Sequence, residues 1–234
     1  MKKAVIFFLA ISLMVPLSGL AQKKSTSYFT SGTEFIFSFA SIDNNGNDGG
    51  NVMRFTGFLH LQGMYNYDFN KSIGLFTGLA LRNVGFIYND PETPGQKKKY
   101  RTYNVGIPLG FKLGSMGKTH MFAGYEIEFP TNYKEKTFNY ERKDEKFNVW
   151  FSKRTPAFYN TVFVGMQFKY GLSLKFKYYL TNFFNQSYSE VDGDGVTEYL
   201  YQNMDVRIFY FSLNINLFRD VHFNYTNEEL MHKF

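Results

Sequence analysis

The stretch "IFYFSLNINLF", residues 208–218, alternates with a period of two. Phe209, Phe211, Leu213, Ile215 and Leu217 share one parity, and Tyr210, Ser212, Asn214 and Asn216 share the other. Successive side chains of an extended chain point to opposite faces, so this is a strand with one greasy side and one hydrophilic side.

The same alternation recurs upstream. It is found in segments 33–40, 52–67, 73–88, 102–113, 120–130, 158–170 and 172–180, which with 208–218 makes eight. In "TYNVGIPLGFKL" (102–113), for example, Tyr103, Val105, Ile107, Leu109 and Phe111 oppose Asn104, Gly106, Gly110 and Lys112. The segments are close to the length that crosses a bilayer obliquely as a tilted strand. The connections alternate between long and short. "DNNGNDGGN" (43–51), "NDPETPGQKKK" (89–99), a polar stretch over about 131–157 and "NQSYSEVDGDGVTEY" (185–199) are long. "DFNKS" (68–72), "GSMGK" (114–118) and the turn at Tyr170 and Gly171 are short. Short periplasmic turns and longer extracellular loops are the pattern of an outer-membrane barrel.

A soluble barrel would place the same letters the other way round, with the apolar parity inside. Eight strands enclose little more than their own side chains. The Phe, Tyr, Leu and Ile of all eight segments would overfill that space, whereas Gly, Ala, Ser, Asn and scattered charges fit it. The expectation is therefore an all-β fold, an eight-stranded antiparallel up-and-down transmembrane β-barrel over residues 22–218. Its apolar parity would face lipid, with Tyr65, Tyr67, Tyr103, Phe129 and Phe168 as an interfacial aromatic girdle.

Composition agrees. Aromatics make up 20% of the chain, with 28 Phe, 18 Tyr and one Trp. No stretch after the N-terminus reaches the 18 or so apolar residues of a spanning helix. Residues 1–21 read as a secretory signal peptide, with Lys2 and Lys3 before an apolar run and Gly19 and Ala21 ahead of the cut. The absence of cysteine removes disulfides, thiolate metal sites and a thiol nucleophile. The net charge of +6 includes Lys2 and Lys3. The positive charges are dispersed, and an exported chain has little access to nucleic acid, so no nucleic-acid partner is expected. The run Lys97, Lys98 and Lys99 reads as solvated loop or as a contact for anionic headgroups.

The fourth segment also carries a resemblance. "RTYNVGIPLGFKLG" (101–114), together with a signal peptide ending "LAQ", resembles small outer-membrane β-barrel proteins of Bacteroidetes-type bacteria, of the porin-like or OmpA-type transmembrane kind. The likeness spans about 28–218. It implies the fold and an outer-membrane location, with outer-membrane lipid and lipopolysaccharide as surroundings, and no particular activity. Proteins of the OmpA type usually continue into a peptidoglycan-binding domain; this sequence stops at Phe234, so that function is expected to be missing.

Candidate chemistry is sparse. The inward parity holds Glu34, Glu126 and Glu128 with Arg54, Arg82, Lys112, Lys169, Lys175 and Lys177. Charges away from water need partners. Glu126 and Glu128 are expected to face Lys175, Lys177 or Arg82, with Glu34 lower, near Lys112 and Lys169. The surplus of cations would favour anions in any narrow pore. Neither "DNNGNDGGN" nor "VDGDG" has the glycine and glutamate of a calcium loop at the required positions, so no metal or other cofactor is implied. His60 has no evident serine partner on the lipid side, and an enzyme is not expected.

Two functions remain, with a narrow anion-preferring pore as a third. The first is a structural or recognition scaffold with a polar, plugged lumen, presenting loops that contain Trp150 and Phe151. The second is an accessory subunit of a larger outer-membrane assembly. It would dock through small wall residues such as Gly57 and Gly63 and through a periplasmic tail, residues 219–234, with Leu230 and Phe234 on one helical face.

Overall fold

The computed structural model describes residues 25–223, apart from 45, 49, 90–92, 94, 141 and 192. The expected signal peptide and the expected docking residues Leu230 and Phe234 lie outside them.

Eight antiparallel strands form one closed ring. They are β1 (Thr26–Asn44), β2 (Arg54–Thr56 continuing as Leu61–Asp68), β3 (Ile73–Asn89), β4 (Gln96–Gly114), β5 (His120–Asn139), β6 (Tyr159–Gln167), β7 (Leu172–Tyr179) and β8 (Met204–Phe223). Each pairs with the next, and β8 pairs back onto β1. That closing ladder runs from Asn44 opposite Met204 to Ser27 opposite Phe223, with Phe37 opposite Phe211 at mid-height. Closure leaves no open edge, which hydrocarbon requires because it offers backbone groups no partner.

The facing follows the alternation. On β8, Phe211 and Ile215 are exposed, while Ile208, Tyr210, Ser212 and Asn214 are buried. On β4, Ile107, Leu109, Phe111 and Leu113 are exposed, while Thr102, Asn104 and Lys112 are buried. A chain with apolar side chains outside and buried polar groups inside is built for lipid around it. No helix among the described residues is long and apolar enough to cross a membrane.

Three boundaries differ from the sequence reading. The stretch over 131–157 is not mainly loop: β5 runs on to Asn139, and Arg142–Trp150 returns beside it as a hairpin arm. Lys97, Lys98 and Lys99 are strand residues of β4, paired with both β3 and β5. β8 continues to Phe223, so residues 219–223 belong to the wall and not to a tail. In each case turn-prone or charged residues masked a ladder that a neighbouring strand supplies.

β2 is interrupted at residues 57–60, where Leu59 adopts a positive φ of 59°. The β2–β3 ladder lapses there, and three side chains patch it. The Asn83 N–H donates to His60 Nδ1 at 3.3 Å, Arg54 Nη1 donates to the Asn83 carbonyl at 3.4 Å, and the Ser38 hydroxyl donates to the Gly85 carbonyl at 2.7 Å. Buried backbone polar groups need partners, and here side chains provide them.

Candidate functional site

The lumen is stacked in three layers. At mid-height the inward parities of β1, β3, β5 and β7 converge in a buried ion cluster. Arg82 Nε lies 3.0 Å from Glu34 Oε2, and its Nη1 reaches Glu126 and, at 3.4 Å, Glu128. Lys177 bridges Glu126 at 2.8 Å and also pairs with Glu128. Lys175 is 2.9 Å from Glu34. The Tyr179 hydroxyl and the Asn104 amide donate to Glu128 Oε2 at 2.5 and 2.7 Å. Three carboxylates meet three cations, so the cluster is balanced. Mutual pairing with added hydrogen bonds is the condition under which such charges persist away from water.

Above it, toward the long connections, the lumen is apolar and aromatic. Phe86, Tyr100, Tyr133, Tyr159 and Tyr179 from the strands enclose Phe183, Phe184 and Tyr201 from the β7–β8 connection. Phe184 stacks on Tyr201 with centroids 4.1 Å apart, and the Tyr159 hydroxyl donates to the Phe183 carbonyl at 3.0 Å. The expectation of a wholly polar lumen is corrected here: a barrel interior with no bulk water at this level accepts aromatic side chains, provided they come from few positions. Over this plug, Arg154 holds Glu190 at 2.5 Å and lies 4.3 Å from the Phe147 ring. The hydrogen bond from Tyr188 and the Arg154 charge outweigh partial burial and lower the Glu190 pKa.

Below the cluster, a cavity of about 630 Å³ opens toward the short turns. Lys112 is held there by Asp68 at 2.5 Å, by Asn66 and by the Tyr28 hydroxyl, the latter two at 3.1 Å. Phe76, Phe122 and Phe163 pack edge to face or tilted on one wall. Glycine at lumen positions makes room for them: a Cβ on Gly124 would stand 2.7 Å from the Phe163 ring, and one on Gly110 or Gly165 would overlap Phe76 or Phe122.

The structure thus brings Glu34, Arg82, Glu126, Glu128, Lys175 and Lys177 together. It keeps the other three out. Lys112 sits lower with Asp68, a carboxylate the sequence reading overlooked because Asp68 stands at a strand end beside a turn. Arg54 patches the wall. Lys169 is exposed on the turn Lys169–Gly171, 4.9 Å from the Tyr170 ring. Glu34 therefore pairs with Arg82 and Lys175 and not with Lys112 or Lys169. The expected cation surplus disappears within the cluster. Phe168 lines the lower cavity and does not join the outer girdle.

The proposed partner contacts fall out differently. The Phe29 ring would stand 2.8 Å from a Cβ on Gly63, and the Phe35 ring 3.1 Å from one on Gly57, so both hollows are filled from within the wall. Trp150 is 64% and Phe151 76% exposed. They lie beside Asn132 and Thr131, level with the outer end of the apolar belt at Tyr103 and Phe129.

No protein-family model and no curated protein matches the chain. Solved structures similar to it include Neisserial surface protein A, at 9% identity over 82% of this chain and 99% of that one, with a TM-score of 0.39. Ail, the attachment invasion locus protein of Yersinia pestis, shares 10% over 84% and 100%, with a TM-score of 0.35. OprG from Pseudomonas aeruginosa shares 8% over 82% and 96%, with a TM-score of 0.31. Likeness this distant carries no argument about what the chain binds. The fold rests on the closing β8–β1 ladder and the outward apolar face, and on those the chain is a small eight-stranded β-barrel integral to the outer membrane.

Proposed function

We propose that the chain is a non-enzymatic, non-conducting scaffold that holds its hairpin arm and long connections outside the cell. One observation supports this reading most directly. The lumen is blocked twice, by the aromatic plug of Phe183, Phe184 and Tyr201 and by the balanced cluster around Arg82. An ion crossing it would have to displace packed rings and then separate buried pairs, each step costing several kcal/mol.

Planar-bilayer recording tests it. The purified full chain is expected to give a flat baseline at moderate voltage. Steady unit conductances that scale with the amount of protein would overturn the reading and favour the pore.

A further inference from the structure

Beyond the aromatic rim, the outward face of β4, β5 and the hairpin arm is a field of cations. The bulge over 130–132 turns Tyr133, Glu135 and Thr137 inward and leaves Lys134, Lys136 and Phe138 outside. The register then aligns like charges. Arg101 stands opposite Lys134, while Lys99, Lys136 and Lys146 form one row across three strands. Lys143 follows, opposite Phe138.

Among the described residues, the carboxylates of this region turn to another face or another partner. Glu135 accepts from the Tyr133 hydroxyl at 2.9 Å and faces Arg154. Glu145 is paired in register with inward-facing Thr137, and Asp144 accepts from Asn139 at 2.7 Å. Among the described residues, no salt bridge reaches any of the six cations. Like charges directly opposite each other destabilise a sheet. Partial burial first, then Arg101 and the surrounding lysines, push the Lys134 and Lys136 pKa values down. An arrangement that works against the free protein is relieved by bound anions.

The height of the face indicates which anions. Arg101 and Lys99 lie two and four residues beyond Tyr103, about 7 and 13 Å along the strand and so roughly 5 and 10 Å along the membrane normal for a strand tilted by about 40°. The headgroup layer outside the hydrocarbon is roughly 5–8 Å thick on each side. The cations therefore extend from headgroup level into the layer of sugars and phosphates above it. Aromatic rings set their positions, with Lys99 4.7 Å from the Phe138 centroid and Arg101 5.7 Å from that of Tyr103.

We propose that this face binds the phosphate and acidic-sugar groups of lipopolysaccharide molecules packed against the barrel, with Lys99, Lys136 and Lys146 as its central row. The site rests on the membrane-spanning reading and adds a ligand to it. It leaves the lumen out entirely.

The test uses the full chain in phosphatidylcholine nanodiscs, with deep-rough lipopolysaccharide as the probe. Wild type is expected to bind it and to unfold at a higher temperature when it is present. The triple variant K99Q/K136Q/K146Q removes about 1 kcal/mol of attraction per charge, so affinity should fall roughly 100-fold. A loss smaller than about ten-fold, or an equal loss in K71Q/K118Q/K169Q at the opposite end, would overturn the proposal. Lysine-to-arginine replacement of the same row should retain binding. Full displacement by millimolar inorganic phosphate overturns the glycolipid as ligand and leaves a free-anion site. If the glutamine triple does not fold, wild-type binding must still weaken steeply with salt; salt-independent binding overturns the site. Failure of the wild type to insert into vesicles free of lipopolysaccharide, read by protease protection, sinks the membrane reading instead.

Discussion

Arg82 of β3 meets Glu34 of β1 inside the lumen at 3.0 Å, past the intervening β2, although these strands share no ladder and the residues are 48 apart in sequence. The pair ties together the two strands that flank the interrupted β2 and anchors the ion cluster. Its members are buried, with only Arg82, Glu126 and Lys175 bordering the lower cavity, so water replaces a missing member poorly.

Arg82→Met would leave three carboxylates facing two lysines. Breaking a buried network from one side costs about 3–5 kcal/mol. Urea unfolding in lipid vesicles should show that loss. Adding Glu34→Gln should recover part of it, because charge balance is restored. Equal stability of wild type and R82M would mean the cluster contributes nothing net.

The outer cap depends on pH through Glu190. Its pKa is lowered in the folded chain, chiefly by the Tyr188 hydrogen bond and by Arg154. Its stabilising contribution is therefore complete above the ordinary glutamate value of 4.5 and is lost as pH falls through the lowered one. Acid-protease cleavage of the β7–β8 connection should rise across that window. Glu190→Gln should raise cleavage at neutral pH as well. A connection equally protected at every pH would contradict this.

Trp150 is the single tryptophan, so intrinsic fluorescence reports its surroundings directly. Its place opposite Asn132, which itself pairs with Tyr103, puts it at the outer interface, where amphipathic rings settle. Lipids brominated near the headgroup should quench it more than lipids brominated deep in the acyl chain. Strong quenching by aqueous acrylamide with none from either lipid would place it in a solvent-exposed loop instead.

Much of the wall was legible in the letters. The period-two pattern identified all eight strands, their facing and the alternation of short and long connections, because side-chain parity in a strand is a local geometric property. It also selected most of the ion cluster, since a charge on the inward parity must find a partner. Asp68 escaped notice at a strand end, and Lys169 was miscounted because parity breaks at a turn. The bulges were invisible too: the one over 130–132 reverses which letters face outward, and only pairing with β4 reveals it.

The sequence by itself determined the barrel and its orientation toward lipid, because alternation in an exported chain of this length admits few ways of burying the apolar face. The tertiary structure decided what fills the interior and what arms the rim. Which carboxylate meets which cation, where Phe183 and Phe184 fold back, and how Lys99, Lys136 and Lys146 align all depend on register between strands, a long-range relation that no single segment encodes.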